Sequence, residues 1–231
     1  MVITSVVTID GAALAVSGPG SGGSGGGTSA TAPTVTAVTP NTGPAAGGTR
    51  VTITGTNFNT TAGSTTVKFG PNAATAVSCA SATQCSATSP AGQDRVDITV
   101  TTSAGTSATN SKDRFSYVPA LTSLTPANGP ATGGTSVKLV GQGLTPGGAT
   151  TVTFGASAPV TAACAADGLS CTVTSPAGVA GATVNVVATT GGGASNALPF
   201  KFDAAAAGTP GILTLNPGQL NFTGTAIGAT S

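Results

Sequence analysis

Apolar and polar residues alternate along this chain in short bursts. RVTITG puts Val51 and Ile53 on one face, and SVKLVG puts Val137 and Leu139 there. TTVKFG and TTVTFG do the same with Val67/Phe69 and Val152/Phe154. DRVDITV offers Val96, Ile98 and Val100, and TVNVVAT offers Val184 and Val186. The last bursts carry Phe115/Tyr117 and Phe200/Phe202. A period of two marks a strand with one buried face. No segment carries a 3.6-residue apolar period, so the pattern predicts strands and no helix. About seven short strands per half, with turn signals between them, describe a β-sandwich.

The same pattern is written twice. PNTGPAAGGTRVTIT, from Pro40 to Thr54, returns 86 residues on as PANGPATGGTSVKLV, from Pro126 to Val140. A repeat this long is one small domain made twice, not one turn of a solenoid. The first copy is expected over residues 33–118 and the second over 119–203. SYVPALTSLTP passes straight from a last strand to a next first strand, which predicts a nearly fixed angle between the copies. Ahead of them, residues 17–32 read as a flexible Gly/Ser linker and residues 1–16 as a strand-like segment. Residues 204–231 read as a spacer and the start of a further β-module, LTLNPGQLNFTG, so a longer parent chain is expected.

Composition narrows the picture. Charged residues are 6% of the chain, seven Lys and Arg against six acids, all of them Asp. A net charge of +1 offers no field for nucleic acid and no polybasic patch for anionic lipid. No apolar run approaches the roughly 18 residues that cross a bilayer, so membrane insertion is not expected. Thirty-five Gly and fifteen Pro suit many turns. Asn41-Thr42-Gly43-Pro44 and Asn128-Gly129-Pro130 are read as turns, Gly47-Gly48 and Gly133-Gly134 as tight approaches to a strand, and Pro90 and Pro176 as strand ends.

The ordered motif is P-x-x-G-P-x-x-G-G-T-x-V, then G-x-x-F/L, V-x-F-G and T/S-P-A-G. The first copy carries it with Pro40, Gly43, Pro44, Gly47, Gly48, Thr49, Val51, Gly55, Phe58, Phe69, Gly70 and Pro90. The second carries it with Pro126, Gly129, Pro130, Gly133, Gly134, Thr135, Val137, Gly141, Leu144, Phe154, Gly155 and Pro176. It resembles the IPT/TIG domain, an immunoglobulin-like module of the early-set type. The resemblance implies an all-β chain of two tandem immunoglobulin-like β-sandwiches, with a flexible N-terminal linker and a truncated third β-segment. Such modules serve as spacers and adhesive domains of surface proteins, as accessory domains of secreted carbohydrate enzymes, and as dimerisation domains of transcription factors. The tail LNPGQLNFTGTAIGATS resembles the first strands of another bacterial Ig-like module.

Four cysteines are the strongest local signal. Cys79 and Cys85 enclose ASATQ, and Cys164 and Cys171 enclose AADGLS, at matching places in the two copies. Each pair is read as a disulfide stapling adjacent strands, worth about 2 kcal/mol in the chain-entropy model. Such pairs persist in oxidising compartments, so a secreted or cell-surface location is expected. Two free thiols per copy are the alternative. Zinc is disfavoured because the chain has no His and neither pair is C-x-x-C.

Catalysis has little to build on. Without His there is no Ser-His or Cys-His dyad, and without Glu any carboxylate pair must come from Asp. Asp94 and Asp97 lie three apart on opposite faces of a strand start, with no counterpart in the second copy. Gly18-x-Gly20-x-x-Gly23 fits a dinucleotide fingerprint only formally, since it lies in the linker. The chain has no Trp, and its one Tyr, Tyr117, sits where the second copy has Phe202, so an aromatic sugar platform is not expected. Arg50, Lys68, Arg95, Lys112 and Arg114 fall in the first copy and only Lys138 and Lys201 in the second, most simply as a solvated surface. The sequence thus points to non-catalytic spacer or adhesive modules without cofactor, whose partner is a protein or a surface glycan. An accessory carbohydrate-binding module and a phage or virion appendage domain stay open as alternatives.

Overall fold

A computed structural model of the chain describes residues 31–204 and the strand segments β1 (Val7–Ile9) and β2 (Ala12–Leu14). Those two segments pair antiparallel, Thr8 facing Ala13. Most of the Gly/Ser linker and all but Ala204 of the C-terminal segment lie outside the described residues. Among the described residues every regular element is a strand.

Module 1 runs through β3 (Thr34–Thr39), β4 (Thr42–Pro44), β5 (Arg50–Thr56), β6 (Thr66–Phe69), β7 (Asn72–Ala73), β8 (Thr75–Ser81), β9 (Gln84–Thr88), β10 (Arg95–Thr102), β11 (Gly105–Thr106) and β12 (Arg114–Val118). Module 2 follows as β13 (Ala120–Thr125), β14 (Asn128–Pro130), β15 (Ser136–Gln142), β16 (Thr151–Phe154), β17 (Val160–Thr161), β18 (Ala163–Cys164), β19 (Ser170–Thr174), β20 (Thr183–Thr190), β21 (Gly193–Ala194) and β22 (Leu198–Asp203). In module 1 the sheet β3-β5-β9-β8 packs against β4-β12-β10-β6-β7, with β11 on β10. Module 2 repeats this as β13-β15-β19-β18 against β14-β22-β20-β16-β17, with β21 on β20. This is the immunoglobulin-like sandwich in two copies. Each module holds ten strands rather than about seven, because several two- and three-residue segments pair at sheet ends where no apolar alternation announces them.

The alternation places the core as expected. Val51, Ile53, Val67, Phe69, Ile98, Val100, Phe115 and Tyr117 are buried in one cluster, and Val137, Leu139, Val152, Phe154, Val186, Phe200 and Phe202 in the other. Each such side chain contributes about 1.5–3 kcal/mol by leaving water. The aromatic rings meet edge to face, Phe69 with Phe115 at 5.1 Å and Phe115 with Tyr117 at 5.0 Å between centroids. Module 2 repeats this with Phe154–Phe200 at 5.2 Å and Phe200–Phe202 at 5.3 Å. That geometry suits the ring quadrupoles. Aligning the cores shows that the 86-residue offset holds for Val51/Val137 but becomes 85 for Phe69/Phe154, 88 for Val96/Val184 and 85 for Phe115/Phe200. The length changes fall in loops.

Two prolines close their strands as their chemistry requires. Strands β9 and β19 stop at Thr88 and Thr174, two residues before Pro90 and Pro176. Ser89 and Ser175 intervene, buried, and their Oγ atoms accept the Thr49 and Thr135 N–H groups at 3.1 Å.

The segments around Gly43 and Gly129 are strands rather than turns. Strand β4 pairs parallel with β12, Gly43 facing Tyr117, and β14 pairs parallel with β22, Gly129 facing Phe202. The chain thus leaves one sheet after β3 and joins the other at β4, across the cis Thr39–Pro40 bond, with Thr125–Pro126 as its counterpart. Neither Gly43 nor Gly129 has positive φ; a Cβ at either would collide with the Thr49 or Thr135 hydroxyl. These glycines therefore serve close approach rather than a reversed backbone. Gly47-Gly48 and Gly133-Gly134 do take positive φ, from 78° to 85°.

Candidate functional site

Disulfides join Cys79 to Cys85 and Cys164 to Cys171. Each pair faces across a ladder, Cys79 on β8 opposite Cys85 on β9, and Cys164 on β18 opposite Cys171 on β19. In both modules the fastened strand, β8 or β18, is the sheet's edge. Cys85 and Cys171 are buried in the two cores, while their partners are half-buried. The staples hold an exposed edge in place; no thiol remains for chemistry among the described residues.

The carboxylates of module 1 sit in three different settings. Asp97 faces Arg114 across β10 and β12 and pairs with its Nε at 3.5 Å. Asp94 lies just before β10 with φ at 63°, and its carbonyl accepts the Tyr117 N–H at 2.8 Å. Asp113, in a polar run that gives no hint of burial, is fully buried. Its Oδ2 accepts the Asn110 N–H at 2.8 Å, and its Oδ1 has no protein partner. Burial raises the Asp113 carboxyl above the ordinary aspartate value; the Asn110 N–H opposes this and the nearby Asp97 charge reinforces it. Among the described residues no three His, Cys, Asp or Glu side chains converge to hold a metal ion.

The modules meet where the sequence shows no linker. The turn between β20 and β21 is Gly191-Gly192, and it lies against module 1. A Cβ on Gly191 would strike the Asp94 carboxylate, and one on Gly192 the Tyr117 carbonyl oxygen. The register identifies the equivalent module 1 residues. Thr102 faces Gly105 around Ser103-Ala104, and Thr190 faces Gly193 around Gly191-Gly192. Module 1 therefore keeps side chains in this turn, while module 2 has none at the point of contact. Gly143 and Gly168 complete the seam, with a Cβ on Gly143 reaching 2.5 Å from Ala45 Cβ and one on Gly168 striking Gln93 Oε1. Asn72, Gln93, Gln142, Asp167 and Leu169 line a cleft of about 530 Å³ beside this seam. Tyr117 is fully buried at its wall, its hydroxyl without a protein partner, and burial pushes its pKa up to about 12. Its ring is core, so it offers no face for a sugar. The TTSAG/TTGGG difference was visible in the sequence, but only the contact gives it meaning.

Among solved structures, the chain is similar to SGBP-B from a complex xyloglucan utilization locus in Bacteroides uniformis, at 22% identity and a TM-score of 0.33 over 74% of this chain and 49% of that one. It is also similar to the extracellular region of plexin A4, at 24% identity and a TM-score of 0.34 over 78% of this chain and 19% of that one. A third similarity is to the surface glycan-binding protein PbSGBP-B from Prevotella bryantii, at 14% identity and a TM-score of 0.46 over 74% and 42%. The chain thus spans less than half the length of each of these proteins. No curated protein sequence matches it significantly. The IPT/TIG domain matches twice, over residues 33–117 and 119–202. Together these matches cover well over half of the sequence, and the chain belongs to the IPT/TIG family.

Proposed function

We propose that the two modules form a non-catalytic, stiff spacer within a secreted or cell-surface protein, holding whatever flanks them at a set separation. The observation that carries this is the bare Gly191-Gly192 turn, seated on Asp94 and Tyr117 at a junction with no intervening linker. Contact without side chains lets two sandwiches approach backbone to backbone, which leaves little room for hinge motion. The edge-strand disulfides support the extracytoplasmic setting, since such bonds persist outside the reducing cytosol. The module boundaries proposed are 33–118 and 119–203. The repeated positions are strand, turn and staple, and no polar site is shared between the copies, which speaks against chemistry built into the fold.

Small-angle scattering of residues 31–204 tests this. The expected profile is that of one elongated particle fitted by a single conformation. Replacing Gly191-Gly192 with the Ser-Ala of the module 1 turn keeps a sequence that this turn already tolerates, yet wedges the seam. That variant is expected to broaden the distance distribution while each module stays folded. A wild-type profile that needs an ensemble of bent forms, or a variant identical to wild type, would sink the proposal.

A further inference from the structure

The structure gathers charge that the sequence leaves scattered. In a chain with seven Lys and Arg, three of them, Arg95, Lys112 and Arg114, line one groove of about 460 Å³ on module 1. Arg95 faces Ser116 across the β10–β12 ladder and Arg114 faces Asp97, so the two arginines are diagonal neighbours on the outer face. Lys112 joins them from the turn before β12. Thr36 on β3, Ser111 and Ser116 add three hydroxyls to the lining and Asn41 an amide, beside Ala37 and Val38.

Like charges gathered on one sheet face repel, and the fold gives them little relief. Among the described residues the single ion pair is Arg114 Nε with Asp97 Oδ1, at 3.5 Å between half-exposed side chains. Arg95 and Lys112 have no acidic partner there. The scaffold does not need these charges. By ladder register and the matched Phe115 and Phe200, module 2 carries Thr183, Ala197 and Pro199 in the places of Arg95, Lys112 and Arg114. The three cations are thus specific to module 1, although module 2 keeps Thr122 in the place of Thr36 and carries Lys201 in the place of Ser116.

We propose that this groove binds an anionic saccharide, its carboxylates or sulfates held by Arg95, Lys112 and Arg114 and its ring hydroxyls by Thr36, Asn41 and Ser116. Guanidinium groups grip such oxyanions through paired N–H donors. The Asn41 amide and the Ser116 hydroxyl both donate and accept, while the Thr36 hydroxyl, which donates to the Thr54 carbonyl at 3.1 Å, is left to accept; this mix suits sugar hydroxyls. Three cations fall short of the four to eight that an anionic lipid surface calls for. Single-stranded nucleic acid calls for stacking aromatics, and the groove has none. The groove lies wholly in module 1, so its binding does not depend on how the two modules meet.

Titration of the full chain with four probes, followed by NMR shifts and calorimetry, tests this. The probes are oligogalacturonate, which carries only carboxylates, dextran sulfate, which carries only sulfates, neutral cellohexaose and a polyglutamate peptide. Binding of either charged saccharide without cellohexaose supports the proposal and identifies the anion. Affinity is expected to fall about tenfold or more in Arg95→Gln/Arg114→Gln, and to weaken with added salt. Asp97→Asn removes the competing carboxylate and is expected to strengthen binding about twofold. Polyglutamate binding as tightly as the saccharides overturns the assignment to a sugar. No saccharide binding, or binding unchanged in the double variant while its thermal unfolding matches wild type, overturns the site.

Discussion

Tyr117 and Phe202 fill the same place in the two modules and differ by one oxygen atom. The Tyr117 hydroxyl is buried without a protein partner. An unmet hydroxyl is a burden on the folded state, so Tyr117→Phe is expected to leave module 1 as stable or about 1 kcal/mol more stable. Chemical denaturation checks this, and a loss of more than that would show that the hydroxyl has a partner in solution. Asp113 poses the same question with a charge. A carboxyl whose pKa is raised on folding favours the folded state while protonated. That contribution is whole below the ordinary aspartate value and fades as pH rises through the raised one. Module 1 is therefore expected to lose stability as pH rises above the ordinary aspartate value. Asp113→Asn keeps an acceptor for the Asn110 N–H and removes the charge. It should flatten that slope and stabilise module 1 at neutral pH by about 1 kcal/mol. Unfolding midpoints measured across pH decide it: a slope that survives in the variant assigns it to another group. Nothing in TNSKDRF marks Asp113 as buried, because burial there is decided by the loop's path over the sandwich and not by a strand period.

At the scale of single elements, the strands with alternating apolar residues were legible and the short ones were not. Strands β5, β10 and β12 bury one side, and their inward residues can be read directly from the period of two. Strand β4 has no such pattern, and its Asn-Thr-Gly-Pro context looks like a turn. Only its parallel partner β12 and the crowding of Gly43 against Thr49 make it a strand. The cysteine pairs were legible because they recur at equivalent positions, and each one fastens an edge strand that has a neighbour on one side alone. Cys79→Ala/Cys85→Ala is expected to lower the stability of module 1 by about 2 kcal/mol while module 2 is unaffected. Separate unfolding transitions with and without reductant report this. Four thiols titrating freely in native secreted material would show instead that the bonds do not form there.

For the whole molecule, the repeat tells which features the fold requires, and the departures from it tell where the modules differ in use. Glycine replaces Ser103 and Ala104 of the module 1 turn at Gly191 and Gly192, where module 2 touches its neighbour. Five of the seven Lys and Arg lie on module 1, three of them around one groove. Both departures are visible in the sequence as bare differences; neither could be assigned a role there, because the residues that meet them in space are distant in the chain, Gly192 against Tyr117 and Thr36 beside Arg95 and Arg114. The central claim is that the two sandwiches move as one body. Backbone 15N relaxation measures this most directly. The claim predicts that amides in both modules report one rotational correlation time, the value for a single elongated particle of both modules, and that the Ser-Ala exchange at Gly191-Gly192 splits it into two. Two shorter times in the wild-type chain, each matching one isolated module, would contradict it.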